Sequence, residues 1–465
     1  MIKNGLLVKF IILICLTVFV GLFSARIGLD RSQIISVSVF SASVLATLLF
    51  WDFRLAIAFL GIAVLLMTKT VDLEHLVKFA SLEVILFLVG MMVIVGLLKE
   101  SGFFAWLISL ILRVRNFTAT KFLISVSFIS ALLACAVDEV TSIIFMAAAI
   151  IEICDYFEVN PAPFIIISVL TTNIGSAGTV LGNPIGILIA TKSGLTFEDF
   201  LFNAFPLMML CLIVTIALVY FFYRRQLKEL DIKIKEFGAN EILIKLISVP
   251  PEKRLKISLA IFGITLFFIG LHYRFELLWN LQPNTVLLVV PLISSGCVMI
   301  WKWQKARFYI EKDVEWWTLL FFMLLFAKAG TLKYTGATDV FAKRLSSFVS
   351  HNPVALTGTV LWTSALASGI LDNVVLVAAF IPVIQSFQNM GFNLRPLWWA
   401  LLFGGCLGGN ITMVGSTANI VALGLLEKEK NLRINFFHWL GIGLVVGIVT
   451  TGIVWIFLSC VRLTN

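Results

Sequence analysis

Three carboxylates stand where the surrounding sequence leaves them little water. Asp138 and Glu139 lie at the middle of the apolar stretch Phe122–Asp155, and Asp372, followed by Asn373, lies in a like setting 234 residues later. An acid at membrane depth is expensive and marks a functional site by default. At a turn between two helices, unpaired helix-end amides stabilise its charge while burial penalises it. A group held between those effects can exchange a proton for a cation, and two adjacent carboxylates do not give up their protons independently. The competing reading is a structural acid bonded only to backbone amides.

Downstream of each acid is a second interruption. Asn173, Ser176, Thr179 and Asn183 occupy the first, and Asn410, Thr412, Ser416, Thr417 and Asn419 the second, each interleaved with glycine. Thr141 follows the first acidic pair by less than a turn. Unwound carbonyls with Asn, Ser and Thr oxygens suit a small hard cation such as sodium, with Asp138, Asn173, Asp372 and Asn410 as expected ligands. A helix N-terminus facing the same point suits an anion. The residues alone leave both open, and capping of helix breaks is the structural alternative. No cofactor other than a bound sodium ion is expected.

These residues belong to a duplication. Ser130, Ala131 and Asp138 fall on Ser364, Ala365 and Asp372 at an offset of 234; Pro163, Gly175, Thr179 and Gly182 fall on Pro396, Gly408, Thr412 and Gly415 at 233. Upstream, Leu98-Lys99 and Gly102 match Leu332-Lys333 and Gly336. Duplicated, interrupted hydrophobic segments point to a substrate site shared by two structural repeats in a membrane.

The elements that must position them are apolar helices. The chain has 465 residues, 60% hydrophobic and 13% charged, with mean hydropathy +1.03. Runs of about 20 apolar residues, each enough to cross a bilayer, recur along its length. The fold class is therefore an all-α polytopic membrane protein. Expected spans include Leu6–Phe23 (an uncleaved first helix rather than a signal peptide), Gln33–Trp51, Arg54–Met67, Leu82–Leu98, Asn203–Tyr223, Ile257–His272, Asn284–Trp301, Trp316–Lys333 and Phe436–Cys460. Phe103–Val114 reads as an interfacial helix. Two re-entrant hairpins carry Asp138 and Asp372 at their tips, because irregular backbone at depth is tolerated where it lines a cavity. Pro163–Ala190 and Leu397–Leu426 read as broken helices. The count is about eleven transmembrane helices plus the two hairpins, divided as an extra helix at 1–32, a first inverted repeat at 33–223, a linker at 224–256 and a second inverted repeat at 257–465.

The net charge of +9 reflects basic loops rather than nucleic-acid binding. Arg224–Lys256 carries nine basic residues, which places it in the cytoplasm. The N-terminus, Lys302–Lys312 and Lys428–Arg433 then fall on that same side. Seven scattered cysteines form no pairing or metal pattern, and His75, His272, His351 and His438 lie at or near loops. No zinc motif or Ser/Lys dyad supports an intramembrane enzyme. Trp301, Trp303, Trp316, Trp317, Trp398 and Trp399 read as interface anchors. Lys328 lies near the middle of its span, where the first repeat has Ile94; it is a candidate to pair with an acid, replace a coupling cation, attract an anion, or snorkel along a cavity wall.

At Leu371-Asp372-Asn373-Val374 and Gly404-Gly405-Cys406-Leu407-Gly408-Gly409-Asn410-Ile411-Thr412-Met413-Val414-Gly415 the sequence resembles the ion transporter superfamily. That group holds ArsB-type arsenite permeases, NhaD-type sodium–proton antiporters, the P-protein group, and citrate and dicarboxylate symporters. The resemblance covers almost the full chain. It implies inverted repeats meeting at a central site, a homodimer in the plasma membrane, and elevator-like motion of a transport domain against a scaffold. Acidic hairpin tips resemble P-protein and NhaD-type members, whereas dicarboxylate symporters have neutral tips; Glu139 departs from the Asn usual after the Asp. No arginine within a span suggests itself as a bidentate dicarboxylate clamp. The leading expectation is a proton- or sodium-coupled secondary transporter, either sodium/proton antiporter-like or an arsenite-type anion permease. A sodium-coupled citrate/dicarboxylate symporter is the alternative, and a passive channel is a further one.

Overall fold

A backbone in hydrocarbon must bond to itself, and a helix does so within one segment. The structure, a computed structural model, describes residues 2–50, 53–103, 106, 107, 109, 117–236, 252–349 and 352–460, and every regular element among them is helical. The expected breaks at Trp51-Asp52, most of the interfacial helix Phe103–Val114, the middle of the basic linker and His351 lie outside the described residues.

The first helices are α1 (Ile2–Arg26), α2 (Arg31–Leu49), α3 (Arg54–Met67), the short α4 (Leu73–Phe79) and α5 (Leu82–Glu100). Then come α6 (Ala119–Ala136), α7 (Glu139–Tyr156), α8 (Ala162–Gly175), α9 (Pro184–Ser193) and α10 (Phe205–Phe222). The basic linker opens with α11 (Arg224–Glu236). The rest comprises α12 (Lys253–Gly270), α13 (His272–Trp279), α14 (Thr285–Trp301), α15 (Trp316–Tyr334), α16 (Ala337–Phe348), α17 (Pro353–Ser368), α18 (Asn373–Gln388), α19 (Arg395–Gly408), α20 (Thr417–Lys430) and α21 (Phe436–Cys460). Among the described residues six helices are long and apolar enough to cross a membrane, or up to nine if three bent pairs each count as one span. The protein is thus a polytopic, multi-pass membrane protein.

Two packing groups emerge. α3 packs on α2 and α15, and α5 on α12 and α14. In the second group α6, α7 and α8 pack on one another, as do α17, α18 and α19, while α9 and α20 cross between these two sets. The groups meet where α15 packs on α18 and α5 on α9.

The second group is drawn tight by contacts that occur twice at the sequence offset. A Cβ on Gly175 would lie 2.2 Å from the Ala131 carbonyl oxygen, and one on Gly408 would lie 2.2 Å from that of Ala365. Only glycine lets α8 pass α6, and α19 pass α17, at that distance. Next to each crossing a threonine hydroxyl ties the break to the preceding helix: Thr179 Oγ1 donates to the Cys135 carbonyl and Thr412 Oγ1 to that of Gly369. The same hydroxyls accept from Leu181 N and Val414 N at 3.1 and 3.3 Å.

The structure corrects several expectations. α8 runs to Gly175, so the first break spans 176–183 and Asn173 sits in the last helical turn. α11 is an amphipathic helix with Leu227 and Leu230 buried. It is docked, since its Asp231 carboxylate accepts from Ala119 N at 2.7 Å at the start of α6. α12 begins at Lys253, inside the expected linker. Trp398 and Trp399 are not interface anchors. They are 3% and 1% exposed, with Trp399 edge-on to Phe200 at 5.0 Å, because α19 is buried on nearly every side.

Gly175→Ala and Gly408→Ala are each expected to cost the folded protein several kcal/mol, above the ~1–3 typical of overpacking because the clash is with backbone. Gly424→Ala, where nothing lies within 4 Å, is expected to be neutral. Thermal stability of the detergent-purified variants, read by size-exclusion chromatography, checks the contrast.

Candidate functional site

Four helices of the second group begin around one point, and the residue capping each is a predicted site residue. Asp138 accepts from Val140 N and Thr141 N, both at 2.8 Å, and caps α7. Asp372 accepts from Val374 N at 3.1 Å and Val375 N at 3.4 Å and caps α18. Asn183 accepts from Gly186 N at 2.9 Å and caps α9, while Ser416 accepts from Ala418 N at 3.2 Å and caps α20. Helix N-termini carry partial positive charge, so their convergence favours negative charge at the centre.

Glu139 supplies that charge. It is 1% exposed and begins α7. Its carboxylate accepts from Asn373 Nδ2 at 3.1 and 3.4 Å, from Asn183 Nδ2 at 3.3 Å and from Ser416 Oγ at 3.3 Å. These partners come from the tip of the second hairpin and from both breaks. Asn373 is also the residue that occupies the Glu139 position in the second repeat. Asn183 Nδ2 further reaches Ser176 Oγ at 3.0 Å and Cys406 Sγ at 3.2 Å. Asp372 receives the Thr417 hydroxyl at 2.6 Å. In the first repeat Pro184 stands in register with Thr417, so that position offers Asp138 no hydroxyl.

Asn173, Asn410 and Asn419 form a separate layer. Asn173 Nδ2 donates to Asn410 Oδ1 at 2.9 Å and Asn419 Oδ1 at 2.8 Å. Asn410 Nδ2 reaches the Leu170 carbonyl at 3.1 Å, and Asn419 Nδ2 reaches those of Gly409 and Thr412 at 2.8 Å. This layer joins the end of α8 to the second break at Asn410 and to the first turn of α20, where Asn419 and Thr417, expected in the break, lie on the helix. Asn173 Oδ1 is buried with no hydrogen-bond partner among the described residues. Thr179 and Thr412 are the hydroxyl struts described above. Lys328 stands apart: it is 1% exposed on α15, and its Nζ donates to Ser43 Oγ on α2 at 2.6 Å.

A cavity of about 300 Å³ opens onto the carboxylates, lined by Asp138, Glu139, Thr141 and Thr417 on one side and by α3, α5 and α15 on the other. Lys99, Lys312, Asp313 and Glu315 line it as well. Arg54 also lines it, a residue that the sequence does not single out. Arg54 is 2% exposed, its guanidinium carbon lies 4.8 Å from the Phe321 ring centroid, and it shares the cavity wall with Asp138, Glu139 and Thr417. The sequence suggests no arginine as a bidentate dicarboxylate clamp; the structure buries Arg54 at the cavity wall. A cation at a helix N-terminus opposes the helix dipole, and that local conflict was the signal available in the sequence.

A second cavity of about 550 Å³ is lined by Phe326, Ala329, Gly330, Lys333, Ala378 and Lys78 among others. These are the residues 234 positions from Met92, Val95, Gly96, Lys99, Ile144 and Lys312 of the first cavity. The second cavity repeats the first, but none of the three carboxylates lines it.

The family model described as citrate transporter matches residues 46–404. An uncharacterized transporter of Mycobacterium tuberculosis is 30% identical over 371 residues, covering 79% of this chain and 83% of that protein. The P protein of Homo sapiens is 26% identical, covering 83% of this chain and 54% of that protein. The crystal structure of the Alcanivorax borkumensis YdaH transporter shares the fold at a TM-score of 0.56 and 13% identity, covering 93% of this chain and 98% of that one.

Asn173→Ala removes the donor joining α8 to the second break and α20. It is expected to lower stability by about 1–3 kcal/mol, since Asn410 and Asn419 are left buried with unmet acceptors. Thermal unfolding in sodium-free buffer measures this brace without any contribution from bound ion.

Proposed function

The chain belongs to the citrate transporter family and is a membrane secondary transporter, and from that premise we propose that it moves a small cation, exchanging sodium against protons at the Asp138–Glu139–Asp372 centre. The observation that carries this reading is Glu139. Its carboxylate occupies the point where four helix N-termini converge, the place an anionic substrate would otherwise take. With Asp138 and Asp372 the centre holds three carboxylates against Arg54, an excess that attracts a cation and repels a di- or tricarboxylate. Asn173 and Asn410, expected beside those acids as sodium ligands, lie in the separate asparagine layer, where the orphaned Asn173 Oδ1 is the oxygen left to receive a cation.

The architecture we infer is two inverted repeats, 33–223 and 257–465, with α1 as an extra helix and 224–256 as a cytoplasmic linker. Counting α3, the broken pairs α8–α9 and α19–α20 and the bent pair α12–α13 as single spans gives eleven, with α6–α7 and α17–α18 as re-entrant hairpins. The basic charge of α11 supports a cytoplasmic N-terminus and a cytoplasmic mouth for the first cavity. The second cavity is then its outward counterpart, shut off from the carboxylates in this state. That asymmetry supports alternating access over a passive channel. The second group of helices moves elevator-fashion against the first, within a homodimer in the plasma membrane.

A second reading is retained on one observation. Arg54, Lys99 and Lys312 line the cavity and favour an anion, either of the arsenite type or a carboxylate. Proteoliposomes under an imposed pH gradient, offered sodium, lithium, arsenite and di- or tricarboxylates, separate the two. Sodium- or lithium-driven proton flux alone is expected, and arsenite or carboxylate uptake without it would reverse the order. Asp138→Asn and Asp372→Asn are each expected to abolish coupled flux, by at least about 100-fold if the lost charge is worth ~3 kcal/mol, at unchanged protein yield. Normal flux in either would remove that residue from the coupling site.

A further inference from the structure

Arg54 is a cation placed where cations are costly. It is buried, begins a helix whose N-terminal end already carries partial positive charge, and belongs to the α3–α15 group rather than to the hairpins. Its guanidinium lies over Phe321 of α15, within the same group. The carboxylates it faces belong to the other group: Asp138 and Glu139 line the same cavity, as does Thr417, whose hydroxyl donates to Asp372. The register partner of Arg54 in the second repeat is Leu288, so no matching cation faces the repeated cavity from that position. This buried cation therefore lines one cavity and has no counterpart at the register position of the other.

We propose that Arg54 is a tethered counter-cation: a fixed positive charge that offsets one charge of the carboxylate centre when no transported cation occupies it. This rests on the cation-exchange reading above. A carboxylate cluster moving empty through hydrocarbon would carry uncompensated charge. Moving with stray cations, it would leak. While the centre is empty, Arg54 holds the Asp372 hairpin against α3 and α15. A bound sodium ion or proton displaces that attraction and frees the hairpin group to move. Arg54 thereby enforces coupling, and because it competes with the cargo it also weakens apparent cation affinity. Its partner side chain Phe321 fixes the guanidinium from the stationary side by a cation–π contact.

The test is Arg54→Gln in proteoliposomes, with sodium and proton fluxes measured separately. Downhill proton or sodium leak without exchange is expected to rise at least about fivefold, and the sodium concentration for half-maximal exchange to fall about tenfold, equivalent to ~1.4 kcal/mol. Arg54→Lys, which keeps the charge, is expected to stay coupled. Adding Asp372→Asn to Arg54→Gln is expected to lower the leak again, because losing one carboxylate with the cation restores the charge balance of the unaltered centre. Tight coupling and unchanged sodium dependence in Arg54→Gln would overturn the proposal. So would a leak that persists in the double variant. If Arg54→Gln does not accumulate, Arg54→Met, which fills the same groove over Phe321, supplies the neutral variant. Failure of both, rescued by Asp372→Asn, supports the charge pairing, and failure without rescue assigns Arg54 a packing role and overturns it. The outcome is separable from that of the functional reading: absence of cation exchange in the unaltered protein defeats that reading, whereas exchange that survives Arg54→Gln intact defeats only this one.

Discussion

Everything in the second group of helices is arranged around one carboxylate in a setting that cannot leave it alone. Glu139 is withdrawn from solvent, and a buried charge persists only when paired and hydrogen-bonded. Asn373, Asn183 and Ser416 meet that demand, and they come from three different segments. Each of those segments is in turn held by a cap or a crossing. Breaking one partner of a buried charge costs far more than such a contact contributes on its own. The glycine crossings at Ala131 and Ala365 and the threonine struts are the means by which the partners arrive within reach.

The repeat explains why the arrangement is so economical, and its departures from symmetry show where function enters. Positions equivalent by offset fill the same structural role, as Gly175 and Gly408 do at the crossings, Thr179 and Thr412 at the struts, and Asn183 with Ser416 and Asp138 with Asp372 at the caps. Where the copies differ, the chemistry differs. Glu139 faces Asn373, turning a would-be pair of amides into a charged contact between halves. Thr417 donates to Asp372 where the first copy has Pro184. Arg54 and Lys328 have apolar counterparts in Leu288 and Ile94. The two buried cations lie on one seam, since Gly61, one α-helical heptad beyond Arg54, meets Lys328.

Much of this was legible in the sequence. Asp138 and Asp372 stand out because bilayer physics forbids idle carboxylates, and the duplication shows both as one motif used twice. The helix breaks are visible from glycine and asparagine in apolar runs, although the first begins three residues later than Asn173 suggests. The partners of Glu139 are not legible, because Asn373 and Ser416 lie 234 and 277 residues away and reach it only through tertiary packing, Ser416 through that of α7 on α20. Arg54 escapes notice because a basic residue at the edge of an apolar run ordinarily marks a membrane boundary. Trp398 and Trp399 mislead for a related reason: tryptophan favours the interface on average, but here the surrounding helices cover it. Lys328 is buried, yet its partner is the Ser43 hydroxyl rather than an acid.

Cation and proton, on this reading, compete for the same carboxylates. Adding sodium chloride to the purified protein in weakly buffered detergent solution tests that competition without a membrane or a flux. Proton release on sodium addition is predicted, one that saturates, disappears in Glu139→Gln and is not produced by choline chloride. Silence to sodium, with proton uptake instead on addition of arsenite or a tricarboxylate, would contradict it.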